Sequence, residues 1–458
     1  MDLDFNDFHG LYLFLASLGL IWFLALWTIW LLGTWTARSR YRLRPRSPLS
    51  SATRTAVPGV SILRPLKGLD TNLYENLEST FTQEYPNFEL LCCVADEDDQ
   101  ALPVVRELKS RYPHVDAKIL IGEAYVGINP KVNNLMSGYR AAKNDILWVI
   151  DSNVTVHSGT LARAVDALRT PTKSGKRVAL VHHVPFAFST ESRVGSRIDE
   201  AFLNTNHAKM YLAINTVAIE SCVVGKSNLY RRSDLERVNG SLKPITSTEP
   251  NAKQDGICGL PAFGRFLAED NMIASALWHE LGLRHDLSCD VARNVVGNMS
   301  LRDYVQRRVR WIRVRKNMVL AATLVEPFTE SIVLVSIGSS SLKYLFGFSR
   351  WLCVLLHFCM LLFVDLDVYT SLAGHPLPQS IRWEFLAGWV AREVLALPIF
   401  ILAIVGNRVE WRGRQYEVLN NGEVKFVSNH RSFLHSLEFL GWSRSQKYQA
   451  VETEAVLP

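Results

Sequence analysis

The chain has 458 residues, enough for one large domain or two ordinary ones together with membrane segments. Its formal net charge of +6 is modest and argues against a nucleic-acid-binding protein, so no nucleic acid is expected among its partners. The sequence contains neither a Gly-x-Gly-x-x-Gly fingerprint nor a Walker loop, which argues against a dinucleotide oxidoreductase and against an ATPase.

The first predicted element is a membrane-spanning helix. From about Leu11 to Trp35 the sequence is apolar and uncharged, and a helix of this length crosses a hydrocarbon core of roughly 30 Å. A cleaved signal peptide starts with basic residues and has a shorter apolar run, whereas this start is acidic. The segment 1–36 is therefore predicted to be a retained anchor.

A basic juxtamembrane linker is predicted at 37–57. It begins with a run of five alternating arginines, Arg38, Arg40, Arg42, Arg44 and Arg46. The positive-inside rule puts this flank, and the domain behind it, in the cytoplasm. Juxtamembrane arginines commonly meet anionic lipid headgroups, and that is the simplest interpretation of the run.

Residues 58–300 are predicted to form the catalytic domain, because short apolar strands alternate there with helical patterns. The predicted strands are 60–63, 88–94, 119–121, 146–150 and 178–181. Apolar strands bounded by helices indicate an α/β fold with a mainly parallel sheet that is covered on both faces. In such sheets, ligands bind outside the carboxyl ends of the strands.

Two acidic motifs come directly after predicted strands. Asp96, Asp98 and Asp99 follow the strand 88–94 and could bond the uracil or ribose of a nucleotide, although a solvated acidic turn has the same pattern. Asp151 follows the strand 146–150 and is the candidate ligand of a divalent metal, Mg²⁺ or Mn²⁺, that would neutralise a pyrophosphate. The alternative for Asp151 is a turn or N-cap aspartate.

A third acidic motif, Glu269-Asp270, opens a helical pattern. A carboxylate at this point can take a proton from an attacking hydroxyl, or it can simply favour the positive end of the helix dipole. The segment 243–264 before it is polar and rich in turn-forming residues, and it is predicted to be a mobile loop.

A basic interfacial helix is predicted at 301–327. In it, Arg307 and Arg310 can hold a diphosphate, and Trp311 can wall an acceptor pocket. Together with the acids at the strand ends, these side chains are suited to moving a sugar from a nucleotide to an alcohol at a membrane surface.

Residues 328–405 are predicted to contain membrane or interfacial helices. The segments 351–364 and 385–405 resemble spanning helices, whereas 331–348 is interrupted by a glycine, three serines and a lysine. A cytosolic tail at 406–458 requires an even number of crossings after the catalytic domain. We therefore predict that 331–348 lies in the interface or re-enters and that the two later segments cross.

At these residues the chain resembles the ceramide glucosyltransferases, a membrane-bound, inverting family with the GT-A fold. The stretches that carry the resemblance are 58–61, 64–68, 126–136, 151–152, 268–270 and 307–311. The most specific is Val126 to Met136, which reads Val-Gly-Ile-Asn-Pro-Lys-Val-Asn-Asn-Leu-Met. The resemblance implies an α/β GT-A domain with an N-terminal transmembrane helix and C-terminal membrane helices.

The resemblance also implies roles for individual residues. Asp99 ends the first acidic motif, Asp151 forms the second and is the metal ligand, and Asp270 is the third and the catalytic base. The implied substrate-binding residues are Asp96, Asp98, Asp99, Lys131, His207, Cys222, Arg307, Arg310 and Trp311. Taken alone, His207 and Cys222 are more typical of a protein core.

Three features depart from the family pattern. Asn153 stands where related enzymes with an Asp-x-Asp pair have a second acid, which leaves a thinner metal shell. The 243–264 loop is longer than usual, and the sequence after about Lys425 matches little.

The predicted function is transfer of glucose from UDP-glucose to the primary hydroxyl of ceramide, giving a β-glucoside at the cytosolic face of a Golgi or endoplasmic reticulum membrane. The predicted partners are UDP-glucose, ceramide and the lipid bilayer, and the oligomeric state stays open. A processive polysaccharide synthase of the chitin or hyaluronan type shares these motifs but usually has more spans. A non-catalytic membrane scaffold that retained the fold is the alternative of a different class.

Overall fold

The structure is a computed structural model, and it describes residues 5–172, 174–245, 256–411, 414–419 and 421–427. The helices are α1 Phe5–Tyr41, α2 Leu73–Phe81, α3 Ala101–Arg111, α4 Pro130–Ala141, α5 Thr160–Arg169, α6 Val194–Phe202, α7 Ala208–Val217, α8 Arg232–Leu235, α9 Glu269–His279, α10 Leu301–Met318, α11 Leu320–Val325, α12 Ser331–Phe346, α13 Arg350–Ala373 and α14 Arg382–Ile404. The strands are β1 Val60–Leu66, β2 Phe88–Val94, β3 Ala117–Ile121, β4 Ile146–Ile150, β5 Val154–Thr155, β6 Val178–Ser189, β7 Ser227–Arg231, β8 Arg284–Val296, β9 Arg408–Trp411, β10 Arg414–Val418 and β11 Val424–Phe426.

Eight strands form one mixed sheet in the order β3-β2-β1-β4-β7-β6-β8-β5. The first four strands in this order are parallel to one another, and β6 is parallel to β8. By contrast, β7 runs antiparallel to both β4 and β6, and β5 runs antiparallel to β8. The predicted fold class is confirmed. The chain forms an α/β domain with a mainly parallel sheet, which one long apolar helix precedes and further apolar helices follow.

Helices cover both faces of this sheet. Successive residues of a strand point to opposite faces, so Ile62 of β1 packs with α2, α3 and α5 while Leu63 packs with α4 and α9. Both side chains are fully buried. The covered faces leave the strand ends as the accessible part of the sheet, and the predicted acidic motifs lie there.

Strands β5, β7 and β9 to β11 were not among the predicted strands, and two longer strands also differ from the prediction. The predicted strand 178–181 is only the start of β6, which continues to Ser189, and β8 was not predicted. The polar residues of β8 obscure its pattern, because several of them are buried rather than exposed. Asp290, for example, is 2.7 Å from Nε of Arg163 in α5.

The predicted mobile loop 243–264 is correct only in part. Residues 246–255 lie outside the described residues, so the prediction is untested there. Its last part is folded, because Leu260–Arg265 forms a 3₁₀ helix whose Leu260 and Phe263 are buried in the core under α4 and α9.

The described part of the predicted tail 406–458 returns to the catalytic domain. Strands β9 to β11 form a small antiparallel sheet that packs against Val314 of α10. Glu423, just before β11, lies 3.1 Å from Nε of Arg265. The described residues after α14 therefore lie against the catalytic domain, while residues 428–458 are outside the described part.

Three helices of the described residues are long and apolar enough to cross a membrane: His9–Tyr41, Arg350–Ala373 and Gln379–Ile404. The pair Leu320–Thr329 and Ser331–Phe346, bent by 63°, passes the same test together and would make a fourth. Helices of this kind fit a membrane protein.

The helices α12 and α13 both pack along α1. The hydroxyl of Tyr344, near the end of α12, lies 2.9 Å from Nδ1 of His9, near the start of α1. The indole N–H of Trp22 donates to the carbonyl of Phe328, just before α12. Thus α12 runs antiparallel to α1, and α13 returns parallel to it.

The arginines at the end of α1 and after it are partly exposed to solvent, but several of them also form ion pairs within the protein. Arg38 and Arg42 lie 2.5 and 2.7 Å from the carboxylate of Asp367 near the end of α13, and Arg40 lies 3.0 Å from Asp286 of β8. The run therefore ties the end of α1 to α13 and to the catalytic domain, a role that the lipid interpretation did not include.

The last long helix, α14, packs on the catalytic domain near both of its ends. Near its start, Glu384 lies 2.9 Å from Nε of Arg197 in α6. Near its end, the carbonyl of Ala403 accepts a hydrogen bond of 3.2 Å from Nε of Arg313 in α10.

Candidate active site

Asp151 is the first residue after β4, at the edge where the parallel strands end. Its Oδ1 lies 2.7 Å from Nζ of Lys131, and its Oδ2 lies 3.1 Å from Nζ of Lys226. Burial disfavours the charged carboxylate, but the two ammonium groups outweigh it and lower the pKa of Asp151 to about 2. Asp151 is therefore ionised throughout the physiological range.

Lys131 comes from the first turn of α4, where Asn129 is the N-cap and accepts a hydrogen bond from the Lys131 N–H. Nζ of Lys131 lies 2.9 Å from Oε1 of the buried Glu269, and the other oxygen of Glu269 accepts a hydrogen bond from the amide of Asn129. Burial alone would lower the pKa of Lys131, but Asp151 and Glu269 raise it well above its ordinary value. Lys131 thus links the end of β4 to the start of α9.

Asp270 follows Glu269 in the first turn of α9. Its carboxylate packs directly on Gly225, where an added Cβ would lie 1.9 Å from Oδ2. Asp270 also lines a small cavity of about 20 Å³ together with the apolar Leu135 and Ile273. Burial, and then the charge of Glu269, raise the pKa of Asp270 to about 7. A carboxylate with this pKa can accept a proton near neutral pH, as a general base must.

The basic-aromatic motif lies on α10, which begins with a capping box between Ser300 and Asp303. The guanidinium of Arg307 lies 4.8 Å from the ring centre of Trp311, one turn later, and 3.6 Å from Oδ2 of the buried Asp199. Arg310 is half-buried one position before Trp311. The helix therefore presents the three predicted side chains on adjoining positions.

His207 and Cys222 are both held near this motif. The ring of His207 stacks on Tyr211 with centres 5.6 Å apart and lies 6.3 Å from the ring of Trp311. Burial, followed by the charge of Arg308, lowers the pKa of His207 to about 3, and burial raises the pKa of Cys222 to about 11. Both groups are therefore neutral at physiological pH, which suits shaping a pocket better than proton transfer.

The first acidic motif is further from these residues along the strand edge. Asp96 and Asp98 are exposed in the loop after β2. Asp99 accepts hydrogen bonds from the backbone N–H groups of Gly68 and Ala101, at 2.9 Å each. Asp99 thus holds the loop after β1 against the start of α3, and its contact with a nucleotide stays a prediction.

The predicted divalent metal would meet a single carboxylate at Asp151. Asn153 directs its Oδ1 to Nζ of Lys226 at 3.2 Å, and within the described residues no group of three His, Cys, Asp or Glu side chains has metal-binding geometry. Mg²⁺ commonly binds one or two carboxylates and completes its shell with phosphate oxygens and water. Asp151 therefore fits a cation that binds together with a diphosphate, but not a site built by the protein alone.

Three residues of this site were not identified from the sequence. Lys226 and Asp199 went unnoticed, and Glu269 was noted without a role of its own. Lys226 precedes β7, and the antiparallel pairing of β7 with β4 is what brings it beside Asp151. Local sequence patterns do not indicate this pairing, so they do not place Lys226 beside Asp151.

Comparison with known sequences gives one family and a consistent set of relatives. The family model of glycosyl transferase family 21 matches residues 20–248 and 250–424. The chain is 38% identical to a ceramide glucosyltransferase of Komagataella phaffii, over 88% of this chain and 90% of that one. It is 34% identical to a ceramide glucosyltransferase of Candida albicans, over 79% of this chain and 86% of that one. It is 31% identical to ceramide glucosyltransferase 1 of Caenorhabditis elegans, over 81% of this chain and 74% of that one.

Among solved structures, the chain is similar to the mannosyltransferase PcManGT of Pyrobaculum calidifontis, solved in complex with GDP-Man and Mn²⁺. The sequence identity is 17% and the TM-score is 0.43, over 85% of this chain and 99% of that one.

Proposed function

The chain belongs to glycosyl transferase family 21, together with its ceramide glucosyltransferase relatives, and on this basis we propose that it transfers glucose from UDP-glucose to the primary hydroxyl of ceramide. The products are glucosylceramide, with inverted configuration at the anomeric carbon, and UDP. The reaction takes place at the cytosolic face of a Golgi or endoplasmic reticulum membrane.

The observation that best supports this proposal is the ionic link from the strand edge to the candidate base. Lys131 contacts Asp151 at 2.7 Å and Glu269 at 2.9 Å, and Asp270 is the next residue. A diphosphate bound near Asp151 and a hydroxyl bound at Asp270 would then occupy one continuous site, as a direct displacement requires.

In the proposed reaction, Asp270 takes the proton of the ceramide hydroxyl while its oxygen attacks the anomeric carbon. The new C–O bond forms as the bond to the diphosphate breaks, so the configuration inverts and the bonding electrons leave with UDP. Lys131 and Arg310 offset the charge that develops on the diphosphate. A divalent cation held by Asp151 and the phosphates would supply further neutralisation.

The acceptor is proposed to approach from the membrane side of α10. Ile312, next to Trp311, is buried with Ile399 and Phe400 of α14 in one apolar cluster. Trp311 itself packs against a different apolar cluster, at the end of α6. We propose that a lipid whose chains remain in the bilayer presents its hydroxyl between these two clusters. Neutral His207 lies behind the indole and supports its orientation.

A donor comparison tests the proposal. Purified protein is incubated with ceramide and, in separate reactions, UDP-glucose, UDP-N-acetylglucosamine and GDP-mannose. We expect a lipid product with UDP-glucose that exceeds the other products at least tenfold. A preference for another donor would contradict the proposed substrate, and a growing polymer without glycolipid would indicate a processive synthase.

The raised pKa of Asp270 predicts the pH dependence of transfer. The base is active when deprotonated, so activity is present above a pKa of about 7 and is lost as the pH falls below it. We expect kcat/KM to fall about tenfold per pH unit below this value. A profile that is flat down to pH 5 would contradict the role of Asp270 as the base.

We further propose that α1, α12 and α13 cross the membrane and that α14 lies along its cytosolic surface. The antiparallel contact of α12 with α1 supports two crossings, one for each of α12 and α13. The contacts near both ends of α14 with catalytic-domain helices support an interfacial position. This pair of crossings differs from the sequence-based prediction, although the even number is the same.

Cysteine labelling in sealed microsomes separates the two topologies. Ser349→Cys lies in the loop before α13, and Ser380→Cys lies in the loop before α14; both positions are exposed. With an impermeant maleimide, we expect added labelling of S380C in intact vesicles and of S349C only after permeabilisation, relative to the unsubstituted chain. The reverse result would support crossings at 351–364 and 385–405.

A further inference from the structure

Lys226 occupies a position beside Asp151 that the assigned roles leave unused. Because β7 is antiparallel to β4, with Ser227 opposite Ile150, the residue before β7 lies next to the residue after β4. The backbone confirms the pairing, since the N–H of Asp151 donates to the carbonyl of Lys226 at 3.1 Å. The Lys226 side chain is only 15% exposed.

The ammonium of Lys226 bridges the two side chains that flank Ser152. Its Nζ donates to Oδ2 of Asp151 at 3.1 Å and to Oδ1 of Asn153 at 3.2 Å. These are the two positions from which an Asp-x-Asp pair would hold a cation. Here the second acid is an amide, and a lysine cation lies between the two oxygens.

Two lysines meet at Asp151, and a third cation is close to them. Lys131 and Lys226 both contact the Asp151 carboxylate, Lys131 also pairs with Glu269, and the positive charge of Arg307 acts on Lys226. A lysine ammonium has three N–H donors, and two of those on Lys226 point to Asp151 and Asn153. A third N–H donor would remain for a phosphate oxygen.

We propose that Lys226 is a donor-binding residue whose ammonium contacts the diphosphate of the nucleotide sugar. It supplies part of the positive charge that a metal ion held by a second acid would otherwise supply. The proposal rests on the proposed function, because it assumes a nucleoside diphosphate as the donor group. It predicts that binding of the diphosphate depends on Lys226 most strongly when no divalent metal is present.

The test compares binding of UDP and uridine to the purified full chain in detergent, by calorimetry. Lys226→Met removes the charge and keeps the length, Lys226→Arg keeps the charge, and Lys109→Met on the exposed side of α3 is the matched control. In excess EDTA, we expect K226M to weaken UDP binding at least tenfold, K226R at most threefold and K109M not at all. In excess Mn²⁺, the loss in K226M should shrink to a few-fold.

Uridine serves as the internal control, because it lacks the diphosphate. Its affinity for K226M should equal that for the unsubstituted chain. UDP affinity in EDTA that is unchanged by K226M would overturn the proposal, and so would an equal loss of uridine and UDP, which indicates a collapsed site. If the unsubstituted chain binds GDP but not UDP, the proposed donor is wrong, and the same comparison with GDP and guanosine decides the role of Lys226.

Discussion

Replacement of Asp270 by Asn is expected to lower the rate of glucosyl transfer by about 10²- to 10⁴-fold, the usual contribution of a general base. Asparagine keeps the shape of the side chain beside Gly225 but cannot accept the hydroxyl proton. Binding of UDP should be retained, because the contacts proposed for the diphosphate come from Lys131, Lys226, Arg310 and a cation held by Asp151. The rate is measured with labelled UDP-glucose and ceramide, and the affinity by calorimetry.

The matched control is Asp116→Asn, on the surface before β3, which should retain full activity. D270N with more than a third of the original rate would contradict the assignment of the base. Loss of UDP binding in D270N would show instead that Asp270 maintains the nucleotide site.

Replacement of Lys209 by Met is expected to be the most destabilising single change outside the active site. Lys209 of α7 lies 2.6 Å from Oδ1 of Asp365 in α13, and both side chains are at most 1% exposed. The ammonium also lies 4.4 Å from the ring centre of Trp30, and Asp365 accepts a second hydrogen bond from Trp389. Removing one charge leaves the other buried without its partner, which costs about 3–5 kcal/mol.

Thermal unfolding in detergent tests this expectation. K209M should unfold at a clearly lower temperature, whereas Lys343→Met, at an exposed lysine of α12, should not. The double variant Lys209→Met with Asp365→Leu should recover most of the loss, because neither charge is then unpaired. A single variant as stable as the unsubstituted chain would mean that the pair does not hold α7, α1, α13 and α14 together.

The residues that sequence reasoning identified are those whose local pattern reflects their environment. Asp151 follows a short, wholly apolar run, and such a run is typical of a strand buried on both faces. Asp270 opens a helix whose first turn is acidic. Both positions follow from the strand and helix patterns alone, and the structure has them at the strand edge and the helix start as expected.

Lys226 could not be found in this way, because its position depends on a long-range pairing. Strand β7 is separated from β4 by more than 70 residues, and its direction is opposite to that of the other central strands. Local periodicity carries no information on strand direction. Asp199 was missed for a related reason, since its only indication is the spatial contact with Arg307.

The membrane helices show the limit of hydropathy. Segment 385–405 is apolar enough to cross, and 331–348 is interrupted by polar residues. Packing changes how these polar residues are interpreted, because most of the serines of α12 and the charged pair of α14 are at least partly buried. Arg392 lies 2.7 Å from Glu393 and 2.6 Å from Glu330. Neutralisation by a distant residue is not visible in a hydropathy average.

The most direct test of the account is the identity of the product. The purified chain, held in lipid nanodiscs, is incubated with UDP-glucose, ceramide and Mg²⁺ or Mn²⁺, and the lipid is analysed by mass spectrometry and by NMR of the anomeric proton. The account predicts ceramide carrying a single glucose in the β configuration, absent with D270N. An α-linked glucoside, or UDP release without a glycosylated lipid, would contradict it.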